Sequence, residues 1–193
     1  DKFRKSYALH ARGHNVLLID GEGQGPGPKV ANAAAPAEQC GLGDALDFAR
    51  GSIGSFPGVQ GAVVHTRTLV FLHQGLWVAV DHVAADRPHE VQALWHFSPD
   101  CHVLASGLQA LSDDADKGNL RIVPAGSVDW QVQVVRAEEQ PVLQGFYSPH
   151  YNRVMPSSCA VYTARVAGDA VFAWVLVPGR GVPPQVTAQL QRI

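Results

Sequence analysis

Short apolar runs, several of them alternating with polar residues at a period near two, follow one another along this chain. That spacing puts one face of a β-strand in a core and the other in water. Asn15–Asp20 is a short apolar run ending in Asp-Gly. Val59–His73 and Leu76–Val83 are rich in Val, Leu, Thr and Trp, and Gln74-Gly75 between them predicts a two-residue hairpin turn. His89–Phe97, Cys101–Ala105, Leu120–Val123, Trp130–Val135, Ala160–Val166 and Ala170–Val177 follow as further strands. Turns are marked by Ser98-Pro99-Asp100, Lys117-Gly118-Asn119, Pro124-Ala125-Gly126 and Ala167-Gly168-Asp169.

Many short strands joined by polar turns predict an all-β antiparallel β-sandwich with little helix. The best helical candidate is Pro183–Gln191 near the C-terminus. Gly21–Gly43 is a long stretch rich in Gly, Pro and Ala, expected to be a loop, and loops of that length are usually functional.

Composition narrows the function classes. A hydrophobic content of 46% over 193 residues is enough for one globular domain. The net charge of −2 gives no general basic field, so a nucleic-acid partner is not expected and an anionic polymer would need a local cluster. No run approaches the length of a membrane span. Cys40, Cys101 and Cys159 are an odd set without zinc-ribbon spacing. The chain begins at Asp1 and its single methionine is Met155, so residues 1–193 are expected to form one domain of a longer chain.

The segment Ser6-Tyr7-Ala8-Leu9-His10-Ala11-Arg12-Gly13-His14-Asn15, followed by the strand to Ile19, Asp20-Gly21 and Gly23-Gln24, resembles a signature of heparinase II/III-like polysaccharide lyases. Further matches follow in family order. They are Arg67–Leu72, Trp77–Val83, Leu94–Asp100, Gly145-Phe146-Tyr147-Ser148-Pro149 and Trp174–Pro178. The resemblance implies the C-terminal β-sandwich of an enzyme whose α/α toroid lies upstream. It implies cleavage of a uronate-containing polysaccharide, alginate or a glycosaminoglycan, by β-elimination at a cleft between the two parts. A base removes the C5 proton and an acid protonates the departing O4, with the adjacent carboxylate neutralised. The family's His-x-His-x-Asp is absent here, so the catalytic residues are expected upstream of Asp1. The resemblance also implies a secreted or periplasmic location.

Several residues are candidates for a site. His14 matches the third ligand of a zinc ion in some family members. Its partners would lie upstream, so no tight zinc is expected on this chain alone. His10 stands four residues before His14, but Arg12-Gly13 breaks the helix that would align them. Arg67 could grip a sugar carboxylate through its guanidinium fork or simply face solvent from its strand, and Gln24 could touch sugar hydroxyls or simply cap a turn. Trp77 and Trp95 could stack on sugars, although burial in the core is the expected fate of both. His82, His89, His96 and His102 crowd one stretch, yet turns separate them, and a polar sandwich edge is the plainer expectation. Tyr147, His150, Tyr151 and Arg153 share a loop that could reach a cleft or simply pack between strands. Two other functions compete: a free-standing carbohydrate-binding module, and a cupin-like metal enzyme whose His-x-His opening is missing.

Overall fold

The structure, a computed structural model, describes residues 3, 7–25, 36–151 and 153–191. Among these the chain is all-β. Helical residues are confined to the first thirteen positions, including a 3-10 turn at Ala11–Gly13. No described helix is long and apolar enough to cross a membrane.

The strands are β1 (Leu17–Ile19), β2 (Cys40–Leu42), β3 (Leu46–Ile53), β4 (Val63–Leu72), β5 (Leu76–Ala85), β6 (His89–His96) and β7 (Val103–Ser106). After these come β8 (Gln109–Ser112), β9 (Gly118–Ala125), β10 (Gln131–Arg136), β11 (Phe146–Tyr147), β12 (Met155–Pro156), β13 (Ser158–Val166) and β14 (Ala170–Arg180). An eight-stranded sheet in the order β2-β3-β4-β5-β14-β9-β8-β7 faces a four-stranded sheet, β1-β6-β13-β10. Every pairing is antiparallel.

The core between the sheets is aromatic. Trp174 lies at its centre, 4.7 Å from Tyr162, 5.1 Å from Trp130 and 5.7 Å from Trp95 between ring centroids. Alternate residues of each strand fill it: Val91, Ala93 and Trp95 from β6, and Phe172 and Trp174 from β14. The four-stranded sheet is also buried on part of its outer face. There Leu18, Leu94, Val135, Cys159 and Val161 form a second cluster, covered by Ala11 and Val16. This explains why β1 is apolar throughout and β13 is buried at most of its positions, since both of their faces are covered.

Three expectations need correction. The β4–β5 turn has three residues, because Leu72 pairs with Leu76, and Gly75 takes the positive φ of 97° that such a turn demands. Pro183–Gln191 is not helical. Its first residue is tied down in an extended strap instead, with Arg121 Nη2 donating to the Pro183 carbonyl at 3.0 Å. The stretch from Gly21 to Gly43 is not all loop, since Cys40–Leu42 pairs with β3. Residues 26–35 of that stretch lie outside the described residues.

Candidate functional site

The segment from Tyr7 to Val16 crosses the outer face of the four-stranded sheet and carries the first half of the site. Its path is fixed by local hydrogen bonds. His10 N–H donates to the Tyr7 carbonyl, Gly13 N–H to His10 and His14 N–H to Ala11. His10 caps the 3-10 turn with its ring, accepting from Arg12 N–H at 3.4 Å. Gly13 is required here, because a Cβ would stand 2.7 Å from the Tyr7 carbonyl oxygen. The turn leaves His14 exposed at its end.

The second half comes from the connection between β10 and β13. Gly145, at φ 81°, turns the chain into β11, and β11 and β12 form a small hairpin around Ser148–Val154. Tyr7 pins this hairpin to the sheet. Its hydroxyl accepts from Phe146 N–H at 3.1 Å, and it can donate to Gln144 Oε1 at 2.9 Å or the Phe146 carbonyl at 3.0 Å. Gln144 Oε1 also accepts from Gly145 N–H at 2.9 Å, which fixes the orientation of the amide. Burial pushes the Tyr7 phenol up to about 12, despite the opposing hydrogen bond from Phe146, so it stays protonated at neutral pH.

Between the two halves lies a cavity of about 450 Å³. Phe3, Tyr7, His14, Tyr147, Tyr151 and Arg153 are among its walls, and among the described residues no aspartate or glutamate lines it. Tyr147 and Tyr151 are 47% and 73% exposed, and Arg153 and His14 are exposed too. Neither the Arg153 guanidinium nor the His14 ring takes part in a hydrogen bond or ion pair among the described residues. Of the two readings of the Tyr147–Tyr151 loop, packing between strands gives way to a projecting hairpin that offers its side chains to the cavity. A larger cleft of about 720 Å³ adjoins across Phe3, with His10, Arg12, Glu22 and Glu139 in its walls.

His96 lies behind this site. Asn15 Oδ1 accepts from its backbone N–H at 2.7 Å, and its Nε2 is 3.2 Å from both the Tyr7 hydroxyl and Gln144 Oε1. Burial first, and the nearby His14 second, hold its pKa below the ordinary histidine value.

Arg67 is positioned from the inside rather than on a ligand. Its Nε and Nη2 bind the two oxygens of Asp81 at 2.7 and 2.9 Å, and Nη1 donates to the Asn15 carbonyl at 2.8 Å. The guanidinium also sits 5.3 Å from the Trp95 ring. Asp81 is fully buried, and it also meets His65 Nε2 at 2.7 Å and Trp174 Nε1 at 2.8 Å. The fork that could have gripped a sugar carboxylate is thus taken by an internal one. Gln24 is exposed just after the Asp20-Gly21 turn and lines neither the cavity nor the adjoining cleft.

The four clustered histidines disperse. His82 pairs with Asp169, His89 with Asp20 and His102 with Asp113, while His96 meets amides and Tyr7. Among the described residues no three His, Cys, Asp or Glu side chains converge as a metal site. His14 alone does not make a zinc site, and a zinc ion there would need ligands from other parts of a protein. Trp95 is buried as expected, at 5% exposure. Trp77 is not: it is 45% exposed and stacks on Phe71 at 4.6 Å.

An antiparallel sandwich with a projecting hairpin and a cleft beside its smaller sheet is the class of protein defined here. The chain belongs to the heparinase II/III-like family: the model of its C-terminal region matches residues 2–175. Solved structures agree on the fold. A heparan sulfate lyase, HepC from Pedobacter heparinus, superposes with a TM-score of 0.70 at 16% identity over 90% of this chain and 25% of its own. A heparinase III gene product superposes with a TM-score of 0.68 at 14% identity over 93% of this chain and 26% of its own. The chain thus spans about a quarter of these relatives. Among curated proteins no match is found.

Proposed function

We propose that this chain is the C-terminal β-sandwich part of a polysaccharide lyase that cleaves uronate-containing polysaccharides, alginate or a glycosaminoglycan, by β-elimination. Its role is to wall one side of the substrate cleft. The observation that carries this reading is the cavity holding Arg153 and His14, with no carboxylate among its described walls. Elimination needs the C5 proton acidified, which requires the neighbouring carboxylate to be neutralised by positive or hydrogen-bonding groups. Exposed Tyr147 and Tyr151 add hydroxyls and flat faces for sugar rings.

The base and acid come from an upstream α/α toroid in this reading. Tyr7 is not the base at neutral pH, because its proton is held by burial and its oxygen is engaged. Gln24, exposed beside the signature turn, is free to meet sugar hydroxyls further along the chain. Arg67 contributes by holding the Asn15 peptide from within. Zinc, if the whole protein uses it, takes His14 as one ligand with the rest from upstream. A secreted or periplasmic location follows from polymers that lie outside the cytoplasm.

The test mixes this chain with alginate, heparan sulfate and hyaluronan and follows the ultraviolet absorbance of the unsaturated product. No product is expected from the chain alone, and product is expected once it is joined to its upstream region. Product from the chain alone would contradict the placing of the catalytic groups, and none from the joined protein would remove the lyase reading. Zinc should not be retained stoichiometrically after dialysis of this chain. Retention that disappears in His14→Ala would overturn that expectation.

A free-standing carbohydrate-binding module has one observation in its favour, the half-exposed Trp77 beside Phe71. It requires saturable glycan binding that Trp77→Ala abolishes and Arg153→Gln leaves intact.

A further inference from the structure

A third cavity, of about 300 Å³, lies on the outer face of the four-stranded sheet, and the reading of the clefts makes no use of it. Sheet register builds it. Gln133, Val161 and Leu94 stand side by side across β10, β13 and β6, and Thr163 and Gln92 follow two residues along on the same face. Leu94, Val135 and Val161 form a buried apolar floor. Gln92, Gln133, Thr163 and Gln144 bring amides and a hydroxyl to the walls.

Gln144 marks this cavity out. It is only 4% exposed, and its amide is held one way round. Its Oε1 accepts from Gly145 N–H and faces the Tyr7 hydroxyl, both at 2.9 Å, with His96 Nε2 at 3.2 Å. None of those three residues lines the third cavity, whereas Gln144 does. Its Nε2, at the other end of the amide, is buried without a hydrogen-bond partner. The unanswered end of the amide is therefore the one turned to the cavity. A buried N–H with no acceptor is destabilising, and native structures rarely leave one. The Gln133 amide and the Thr163 hydroxyl also lack partners among the described residues. Gln92 donates to Glu90 at 3.0 Å and keeps its oxygen as an acceptor. Charge in the walls is balanced. Arg12 donates to the Gly21 carbonyl and interacts with Glu22, and Glu138 is the one carboxylate among the described walls.

We propose that this cavity binds a single uncharged sugar ring, with Gln144 Nε2 donating to one of its oxygens. Gln92, Gln133 and Thr163 supply the mixture of donors and acceptors that hydroxyl groups require, and the apolar floor receives the C–H face of the ring. The volume is at the low end of the range of about 300–1,000 Å³ usual for small-ligand sites, which suits one ring and not a chain. A carboxylate on the ring would enter without a cation to spare, since the charge of Arg12 is already answered by Glu22. The site is independent of the lyase reading, because none of His14, Tyr147, Tyr151 and Arg153 belongs to it.

The test is an NMR titration of the isotope-labelled chain, following its side-chain amide signals. The probes are glucose, galactose and mannose, each beside its own uronate, together with N-acetylglucosamine and glycerol. At least one neutral sugar should bind with a Kd of about 1–10 mM, the strength open to about a dozen heavy atoms. The Gln144 amide signals should move with that Kd, and the binding hexose should outdo its uronate by about threefold or more. Thr163→Val and Gln133→Ala should each weaken binding by about threefold or more, the worth of a neutral hydrogen bond. Both variants should unfold like the parent, since neither side chain gives up a hydrogen bond. Gln144 itself is left unchanged, because its oxygen holds Gly145 and faces Tyr7.

Absence of binding by every neutral sugar at about tenfold above that Kd overturns the proposal. So do Gln144 amide signals that stay still while a sugar binds elsewhere, and normal binding by both variants. A uronate that binds as tightly as its parent hexose overturns the assignment to an uncharged ring, and glycerol that matches the sugars overturns the assignment to a ring.

Discussion

Replacing Asp81 by asparagine should be among the most damaging isosteric changes in this chain. The carboxylate is fully buried and accepts from four donors: Arg67 Nε and Nη2, His65 Nε2 and Trp174 Nε1, all between 2.7 and 2.9 Å. The amide keeps one acceptor oxygen and turns an NH₂ group toward donors that need acceptors. Arg67, with only 17% of its side chain exposed, then holds a charge without a partner. Removing one member of a buried ion pair costs roughly 3–5 kcal/mol. For a domain of this size each kcal/mol lowers the melting temperature by about 2–4 °C, so a drop of roughly 6–20 °C is expected. Urea and thermal unfolding of the parent and variant measure it. The pH dependence supplies a second check. Burial by itself would raise the Asp81 pKa, but the hydrogen bonds and charges of His65 and Arg67 outweigh it and hold it below the ordinary carboxylate value. A lowered folded pKa means that the contribution is present above the unfolded value of about 3.9 and is lost as pH falls through the folded one. The gap between parent and variant should therefore be full at pH 7 and narrow below about pH 4. A loss under about 1 kcal/mol at pH 7, or a gap unchanged down to pH 2, would refute the account.

Other outcomes follow from single groups. Gly145→Ala puts a Cβ within 2.7 Å of the Ala137 nitrogen and Arg136 Cα at φ 81°, so about 1–3 kcal/mol should be lost in denaturant unfolding. Tyr7→Phe leaves Phe146 N–H without its acceptor, which should cost about 1–3 kcal/mol and raise protease nicking at Ser148–Val154. In a spectrophotometric titration Tyr7 should ionise only near pH 12. Its raised pKa means that its stabilising contribution, complete below pH 10, falls away as pH rises toward 12. Cys40 is exposed and should react at once with a thiol reagent, while Cys159, buried and pushed up to about 12, should react only on unfolding.

The strand framework was legible in the sequence wherever burial was one-sided or complete. β4, β5, β6, β13 and β14 were all recognisable, because period-two patterns and apolar runs depend on local side-chain direction. β3 was not. It lies near the edge of the large sheet, mostly exposed, and its Ala49-Arg50-Gly51-Ser52 carries no apolar face. The C-terminal proline pair stops a helix, and the strap that replaces it depends on Arg121, distant in sequence.

By itself, then, the sequence determined the all-β class, the family signature around His14-Asn15 and the strand positions, because each is written in adjacent residues. Only the tertiary structure decided what the polar residues do. It turned Arg67 inward to a carboxylate one strand away and dispersed the histidines among separate partners. It also brought Tyr147, Tyr151 and Arg153 beside His14, more than 130 positions earlier. The physical reason is that a buried charge must find its partner across space, and which partner lies within 3 Å is fixed by sheet register and chain crossing, not by neighbours along the chain.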